Sequence, residues 1–388
     1  MGGDLLRRKN LKLMRNVKKK RLFIKCRIFF LVFCVSVFTA NADERPLRSA
    51  APNSQSGVSD YSPNVNLSAF NFDGCALLTK SALENPLTMR YIAYYSSPEG
   101  IAYLNKVLER GNIYMPFIKE EIEKRNLPAE LLYIPVIESG FQITAKSKSG
   151  AAGLWQFMMN SISPFGIKVN EYIDERRDFV KSTKGALQKL EDNYKTLGSW
   201  ELAVAAYNCG LGQITRTIQR TKTRDFWELV QKKELRQETE HYVPKLIAVT
   251  YVLSQPRRFG INIWHKPFEW VAIPLRRQIS LDVLAEEAGI ERDLLRRLNA
   301  ELLHGITMQD NSRHLIIPSA HYENISRVLE QEDLKLLRYN YHIVSKGDTL
   351  WGMSRLYGTS LDLIEQHNPG ISDRYLRIGE TVVIPAFN

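Results

Sequence analysis

The sequence predicts a mainly α protein: one all-helical domain, followed by a small module that occurs twice. Two patterns carry this expectation. From residue 86 to 259 the chain reads as helix after helix, with apolar residues at helical spacing in segments such as 184–197 and 200–207. After Gly260 an internal repeat sets in. Leu281 stands 8 residues before Gly289 and 18 before Asn299, as Leu350 stands 8 before Gly358 and 18 before Asn368, and the copies end in Ile317-Pro318 and Ile384-Pro385. Repetition on that scale marks two copies of one small unit, each closing in a strand.

Taken in order, residues 1–42 hold 11 Lys or Arg and one acid, Asp4, followed within them by the apolar run IFFLVFCVSVFTA at 28–40 and then Asn41-Ala42. A basic stretch, an apolar stretch and a small-residue cleavage signal describe a secretory signal peptide, with cleavage expected after Ala42. Its apolar run is 13 residues, against the ~20 needed to span a bilayer. Phe33 occupies the position where a lipid-attachment signal at Cys34 wants a small residue. The chain is therefore expected in the periplasm or cell envelope, peripheral to a membrane at most. Residues 43–85 are rich in Ser, Asn, Pro and Asp without a sustained period and are expected to form a disordered linker. In the helical domain, expected over 86–260, helices are placed at 100–109 and 114–124, with a further one starting at Leu127-Pro128-Ala129-Glu130 through a proline in its first turn. About 170 residues suffice to bury a core. The repeated modules are assigned to 266–320 and 341–386.

The formal charge of +11 invites a nucleic-acid reading, but the signal segment carries the excess. The remainder has 42 bases and 41 acids, so no basic footprint for nucleic acid is left. Seven histidines are scattered without ligand spacing, so neither a metal nor another cofactor is expected. Cys75 and Cys209 remain after cleavage; export permits a bridge between them, but two cysteines make no disulfide framework.

The most informative stretch is LLYIPVIESGFQITAKSKSGAAGLWQF at 131–157, which delivers one acid, Glu138, at the end of an apolar run. Burial against such neighbours disfavours the carboxylate and leaves a group able to donate a proton near neutral pH, as glycosidic cleavage requires. Gly140, Gly150 and Gly153 let the backbone approach a ligand closely. Gln156 supplies an amide, and Trp155 is assigned to the core.

These residues resemble the lytic transglycosylases with a goose-type-lysozyme-like catalytic domain, and most closely the membrane-bound lytic murein transglycosylase D group. The resemblance rests on four blocks in the family's order: IESGF at 137–141, GAAGLWQFM at 150–158, AAYNCGLGQI at 205–214 and ETEHYVPK at 238–245. YIDERRDFVKST at 172–183 fits as well. The second repeat, 341–385, resembles a LysM domain, which implies a βααβ fold that binds N-acetylglucosamine-containing glycans. The first copy has Arg277-Gln278-Ile279-Ser280 in place of the Gly-Asp-Thr start and is LysM-like. The resemblance implies a lysozyme-like fold, peptidoglycan glycan strands as partner, and Glu138 as the catalytic acid that afterwards acts as base, giving a 1,6-anhydromuramyl product. By motif position it implies Ser139, Gln156, Tyr207, Asn208 and Tyr242 as substrate-binding residues, with Tyr207 and Asn208 facing Glu138 and the Tyr207 phenol orienting the acid or stabilising charge on the substrate, Tyr242 lining the same cleft, and Glu238 holding its own helix in place. In the LysM module it implies Gly347, Asp348, Thr349, Asn368 and Ile371 near the glycan. Asp348 and Thr349 are also good N-cap residues for the helix that follows. Two alternatives stand beside this reading. A hydrolase on the same fold would need a second carboxylate, for which Asp174 and Asp178 in the DERRD cluster are candidates, although Arg176 and Arg177 point to an ion-pair network there. A wall-binding protein without activity is the other.

Overall fold

The computed structural model describes residues 70–386 apart from 171–172, 263–266, 276, 308–313, 373 and 375. The chain divides into two units, 1–57 and 58–388; the expected signal peptide and its cleavage point lie outside the described residues. No helix among the described residues is long and apolar enough to cross a membrane.

The protein is mainly helical, as expected. The first helices are α1 (Lys80–Glu84), α2 (Pro86–Tyr95), α3 (Pro98–Gly111), α4 (Met115–Lys124) and α5 (Ile134–Glu138). They continue as α6 (Phe179–Leu197), α7 (Trp200–Cys209), α8 (Leu211–Thr221), α9 (Phe226–Gln231), α10 (Gln237–Leu253) and α11 (Pro256–Phe259). Helix α10 is the centre of the domain. It is apolar around most of its circumference, buries every residue from Leu246 to Leu253, and packs against α2, α7 and α5, the behaviour of a core helix rather than a surface one. The surrounding helices begin and end on local chemistry. Asn85 caps α2 ahead of Pro86, Asp178 accepts from the Val180 and Lys181 N–H groups to start α6, and Gly198 closes α6 in the left-handed conformation. Each such N-cap stabilises by about 1 kcal/mol.

Two sequence expectations change. Residues 70–85 do not belong to a linker: α1 lies there, and Leu77, Leu78, Ala82 and Leu83 are at most 2% exposed. The buried Glu130 anchors this segment, its Oε1 accepting from the N–H groups of Ala76 (2.6 Å) and Leu77 (2.9 Å). One turn of helix is too short to display a period. The helix expected to start at Leu127-Pro128 instead begins as a 3-10 turn, Ala129–Tyr133, and becomes α5 afterwards. Pro135 has no N–H to give the Leu131 carbonyl, so the α ladder cannot run continuously through this point.

Behind the helical domain stand two βααβ modules. In the first, β1 (Trp270–Pro274) pairs antiparallel with β2 (His314–Pro318) around α12 (Leu281–Ala288) and α13 (Arg292–Leu298), and α14 (Tyr322–Glu330) adds Ile325 and Val328 to its core. In the second, β3 (Tyr339–Ile343) pairs with β4 (Thr381–Pro385) around α15 (Leu350–Leu356) and α16 (Leu361–His367). The repeated asparagine does the same work in both. Asn299 donates to the Leu295 and Ile316 carbonyls and accepts from the Ile316 N–H; Asn368 donates to the Ile364 and Val383 carbonyls and accepts from the Val383 N–H. Each amide pins the end of the second helix to the closing strand.

Candidate active site

Glu138 is the last residue of α5, and its position is set from both sides. The Tyr103 hydroxyl donates to the Val136 carbonyl at 3.3 Å, and the Arg110 Nε donates to the Gly140 carbonyl at 2.9 Å. Between these points the chain turns through left-handed backbone at Gly140 (φ 58°) and Phe141 (φ 58°). Such a conformation is strained for phenylalanine; burial of its ring, 1% exposed, holds it there.

The Gly-rich block forms a tight loop folded back against α5. Ala152 and Phe157 exchange both main-chain hydrogen bonds at 3.1 Å, and Gly153 sits at φ 82° where a Cβ would lie 1.9 Å from the Arg176 carbonyl oxygen. No other residue fits there. The loop's carbonyls hold the neighbouring side chains: the Ser139 hydroxyl donates to Leu154 O at 2.9 Å and the Tyr207 hydroxyl to Trp155 O at 2.8 Å. Trp155 itself is fully buried and donates its indole N–H to Thr183.

From the opposite side, α10 presents Tyr242, whose hydroxyl donates to Glu138 Oε1 at 2.5 Å. Glu138 is partly accessible, yet enclosed enough that burial pushes its pKa up to about 7. The Tyr242 hydrogen bond and the Lys189 charge oppose that rise, the Glu238 charge adds to it, and Lys245 opposes it. Burial holds the Tyr207 and Tyr242 phenols well above their ordinary range, so each is a donor. Lys189, half-buried on α6, donates to the Tyr207 carbonyl at 3.2 Å and lies 4.4 Å from the centre of the Tyr207 ring; burial lowers its pKa while Glu138 counteracts that. The arrangement is an acid able to hold its proton near neutrality, faced by a phenol that stabilises the carboxylate once the proton is gone.

The structure brings Ser139, Tyr207 and Tyr242 together around Glu138, but only Tyr242 bonds its carboxyl. Gln156, at φ 49°, donates its amide back to the Gly153 and Ala145 carbonyls. Asn208 accepts from Thr239 Oγ1 at 2.9 Å and donates to Glu238 at 3.4 Å, joining the end of α7 to the start of α10. The DERRD acids are engaged away from Glu138. Asp174 makes a two-point pair with the buried Arg176, Glu175 accepts from Lys181 and the Lys168 N–H, and Asp178 caps α6. Cys75 and Cys209 are unpaired thiols. Lys189 lies in no motif and is absent from the sequence-based candidates; its place on the inward side of an amphipathic helix, beside Leu190, is the signal the sequence carries for it.

In the second module, Gly347 takes φ 95°, Asp348 accepts from the Ser345 N–H and lies 2.8 Å from His342 Nε2, and Thr349 caps α15 through the Gly352 N–H. Asn368 is the pin described above, and Ile371 packs against the module's core. Each of these five has a role inside the module.

Three stretches of the chain match known domains: residues 115–230 the Transglycosylase SLT domain, residues 269–333 the LysM-like domain described as that of the lytic transglycosylase MltD, and residues 342–385 the LysM domain. The chain is 30% identical over 303 residues to the membrane-bound lytic murein transglycosylase D of Escherichia coli K12 and, equally, to that of Escherichia coli O6:H1. The alignment covers 74% of this chain and 66% of either relative. It is 39% identical over 116 residues, 30% of this chain and 56% of the other, to an Alteromonas protein named for tributyltin chloride resistance.

Proposed function

Since the chain carries an SLT-type transglycosylase domain followed by an MltD-type LysM-like module and a LysM module, we propose that it is an exported lytic transglycosylase of the cell envelope. It cleaves the β-1,4 bond between N-acetylmuramic acid and N-acetylglucosamine in peptidoglycan. The observation that carries the reading is Glu138: a half-buried residue whose carboxyl has a pKa raised by burial to about 7, faced by the Tyr242 hydroxyl. In the reaction the Glu138 O–H gives its proton to the glycosidic oxygen as the C1–O bond breaks. The carboxylate, held by Tyr242, then takes the proton of the muramyl C6 hydroxyl as that oxygen bonds to C1, so the product is a 1,6-anhydro sugar and no water is consumed. A single group acting first as acid and then as base works best with a pKa near the working pH. Ser139 and Tyr207 keep the loop 150–157 and α7 in register with the acid, and the LysM module raises the local concentration of enzyme on the wall.

The test is mass spectrometry of fragments released from purified sacculi by residues 43–388, with Glu138→Gln alongside. Anhydro ends, lighter than hydrolysis products by one water, that vanish with Glu138→Gln are the expected result. One observation favours a hydrolytic second reading: Glu238 lies close enough for its charge to reach Glu138, and two carboxyl groups are what a hydrolase uses. Reducing ends that disappear with Glu238→Gln would replace the first reading by the second.

A further inference from the structure

The buried Arg176 ties the active-site loop down at both ends. Its Nη1 donates to Gly150 O at 2.7 Å and Phe157 O at 3.2 Å, while Nε and Nη2 hold both oxygens of Asp174 at 2.8 and 2.7 Å. Its own main-chain oxygen is the atom that lies against Gly153. Besides local bonds to Val169 and Arg177, the pair is attached outside the helical domain. The Asp174 N–H donates to the Glu301 carbonyl of the first repeated module at 2.9 Å, and Ile173 pairs in antiparallel fashion with Leu302 and belongs to that module's core. The same module seats Trp270 edge-on against Phe117 and Phe179, and its Leu298 and Ala300 are buried with the helical domain's core.

We propose that the first repeated module is a positioning element of the active site: through Ile173–Leu302 and Glu301–Asp174 it fixes Arg176, and Arg176 fixes the loop whose Leu154 and Trp155 carbonyls hold Ser139 and Tyr207 beside Glu138. Every link in this chain is a hydrogen bond or a buried contact, and its last link is one residue from the acid. Asp174 and Arg176 are positioning residues, since neither touches Glu138. The module that lacks the Gly-Asp-Thr start thereby serves catalysis, whereas the second module has no such attachment to the loop among the described residues. This rests on the transglycosylase reading for its kinetic part only.

The experiment uses the mature chain with Leu302→Ala, Leu302→Met and Arg176→Lys, each checked for a native circular dichroism spectrum. Two measurements are made: hydrogen exchange of residues 150–157 by mass spectrometry, and steady-state kinetics (kcat and KM) on a soluble glycan fragment. Leu302→Ala, which only trims packing in the module, should speed exchange of the loop amides about tenfold and lower kcat about 10- to 100-fold, with KM within about twofold because uniform binding is untouched. Leu302→Met should restore both, and Arg176→Lys should reproduce the loss by breaking the two-ended tie. A folded Leu302→Ala chain with the loop exchange of the parent, or with its kcat, overturns the proposal. A parent chain that releases no anhydro product sinks the functional reading instead, and the exchange measurement still tests the mechanical link.

Discussion

Glu138 combines a functional asset with a cost to the fold. Its pKa is pushed from the ordinary 4.5 to about 7 by burial, so between those values the folded chain keeps a proton that the unfolded chain has lost, and stability falls as pH rises through that window. The loss is on the order of 3 kcal/mol at its upper bound. Urea unfolding at pH 8 should therefore find Glu138→Gln more stable than the parent; equal or lower stability at that pH would show that the carboxylate is well solvated. On the proposed mechanism the same proton should set the alkaline limb of the kcat/KM profile near pH 7. Tyr242→Phe removes a hydrogen bond that favours the carboxylate, which raises the Glu138 pKa and moves that limb to higher pH. It should also lower kcat about 10- to 100-fold, in line with about 1.5–3 kcal/mol for a hydrogen bond to a charged group. Lys189→Met removes a charge that lowers the Glu138 pKa and should move the limb in the same direction. A pH–rate series on both variants checks this, and a limb that stays in place would assign it to another group. The acid was legible in the sequence from the apolar approach to it. Its phenol partner was not: the resemblance points to Tyr207 for that place, but the Tyr207 hydroxyl goes to the Trp155 carbonyl, and the packing of α10 against α5 brings the Tyr242 hydroxyl to the carboxyl instead.

The loop 150–157 and the paired asparagines show what local geometry demands. Gly153→Ala would need both a strained φ of 82° and relief of a 1.9 Å approach to the Arg176 carbonyl. It should destabilise by about 3 kcal/mol or more, measurable as a lower urea midpoint; a shift below about 1 kcal/mol would mean that the loop relaxes freely. Asn368→Ala leaves the Val383 N–H and two carbonyls without the amide that joined them and should lower stability by about 2 kcal/mol. Asn299→Ala should do the same in the first module, because the bonds are the same; a large effect in one module and none in the other would break the equivalence. The asparagine spacing was visible in the sequence as a repeat, but its purpose was not, since the partner strand lies 15 or 17 residues further on. The helices with long amphipathic faces, α4 and α6, were readable from their spacing. Segment α1 was not, because five residues hold no period.

Across the molecule the two modules differ in what surrounds them. The first shares core with the helical domain through Leu298, Ala300 and Trp270, while the second has its own small core of Val344, Leu350, Met353, Ile364, Val382 and Ile384. It reaches the first module through Leu363, which is buried in that core, and through an Arg338–Glu286 ion pair. An exposed pair of this kind contributes at most about 1 kcal/mol. Removing residues 341–388 should weaken co-sedimentation with peptidoglycan sacculi, whereas turnover of a soluble glycan fragment would report the loss of Leu363 from the first module's core rather than the loss of tethering. Equal sedimentation of the two proteins would remove the tethering role.

What could be read from residue order alone was whatever is periodic or contiguous: a helical domain, a duplicated small module, and an acid delivered by an apolar run. These follow from local propensity and from burial averaged over neighbours, which nearby residues control. What needed the folded chain was every relation between distant segments: Tyr242 on Glu138 at a separation of 104 residues, Glu130 holding the start of the helical domain, and Asp174, the partner of Arg176, bonded to Glu301 of a module more than a hundred residues away. Hydrogen bonds of that kind are set by which surfaces close over one another, and a one-dimensional pattern carries no record of a meeting that depends on the packing of the whole core.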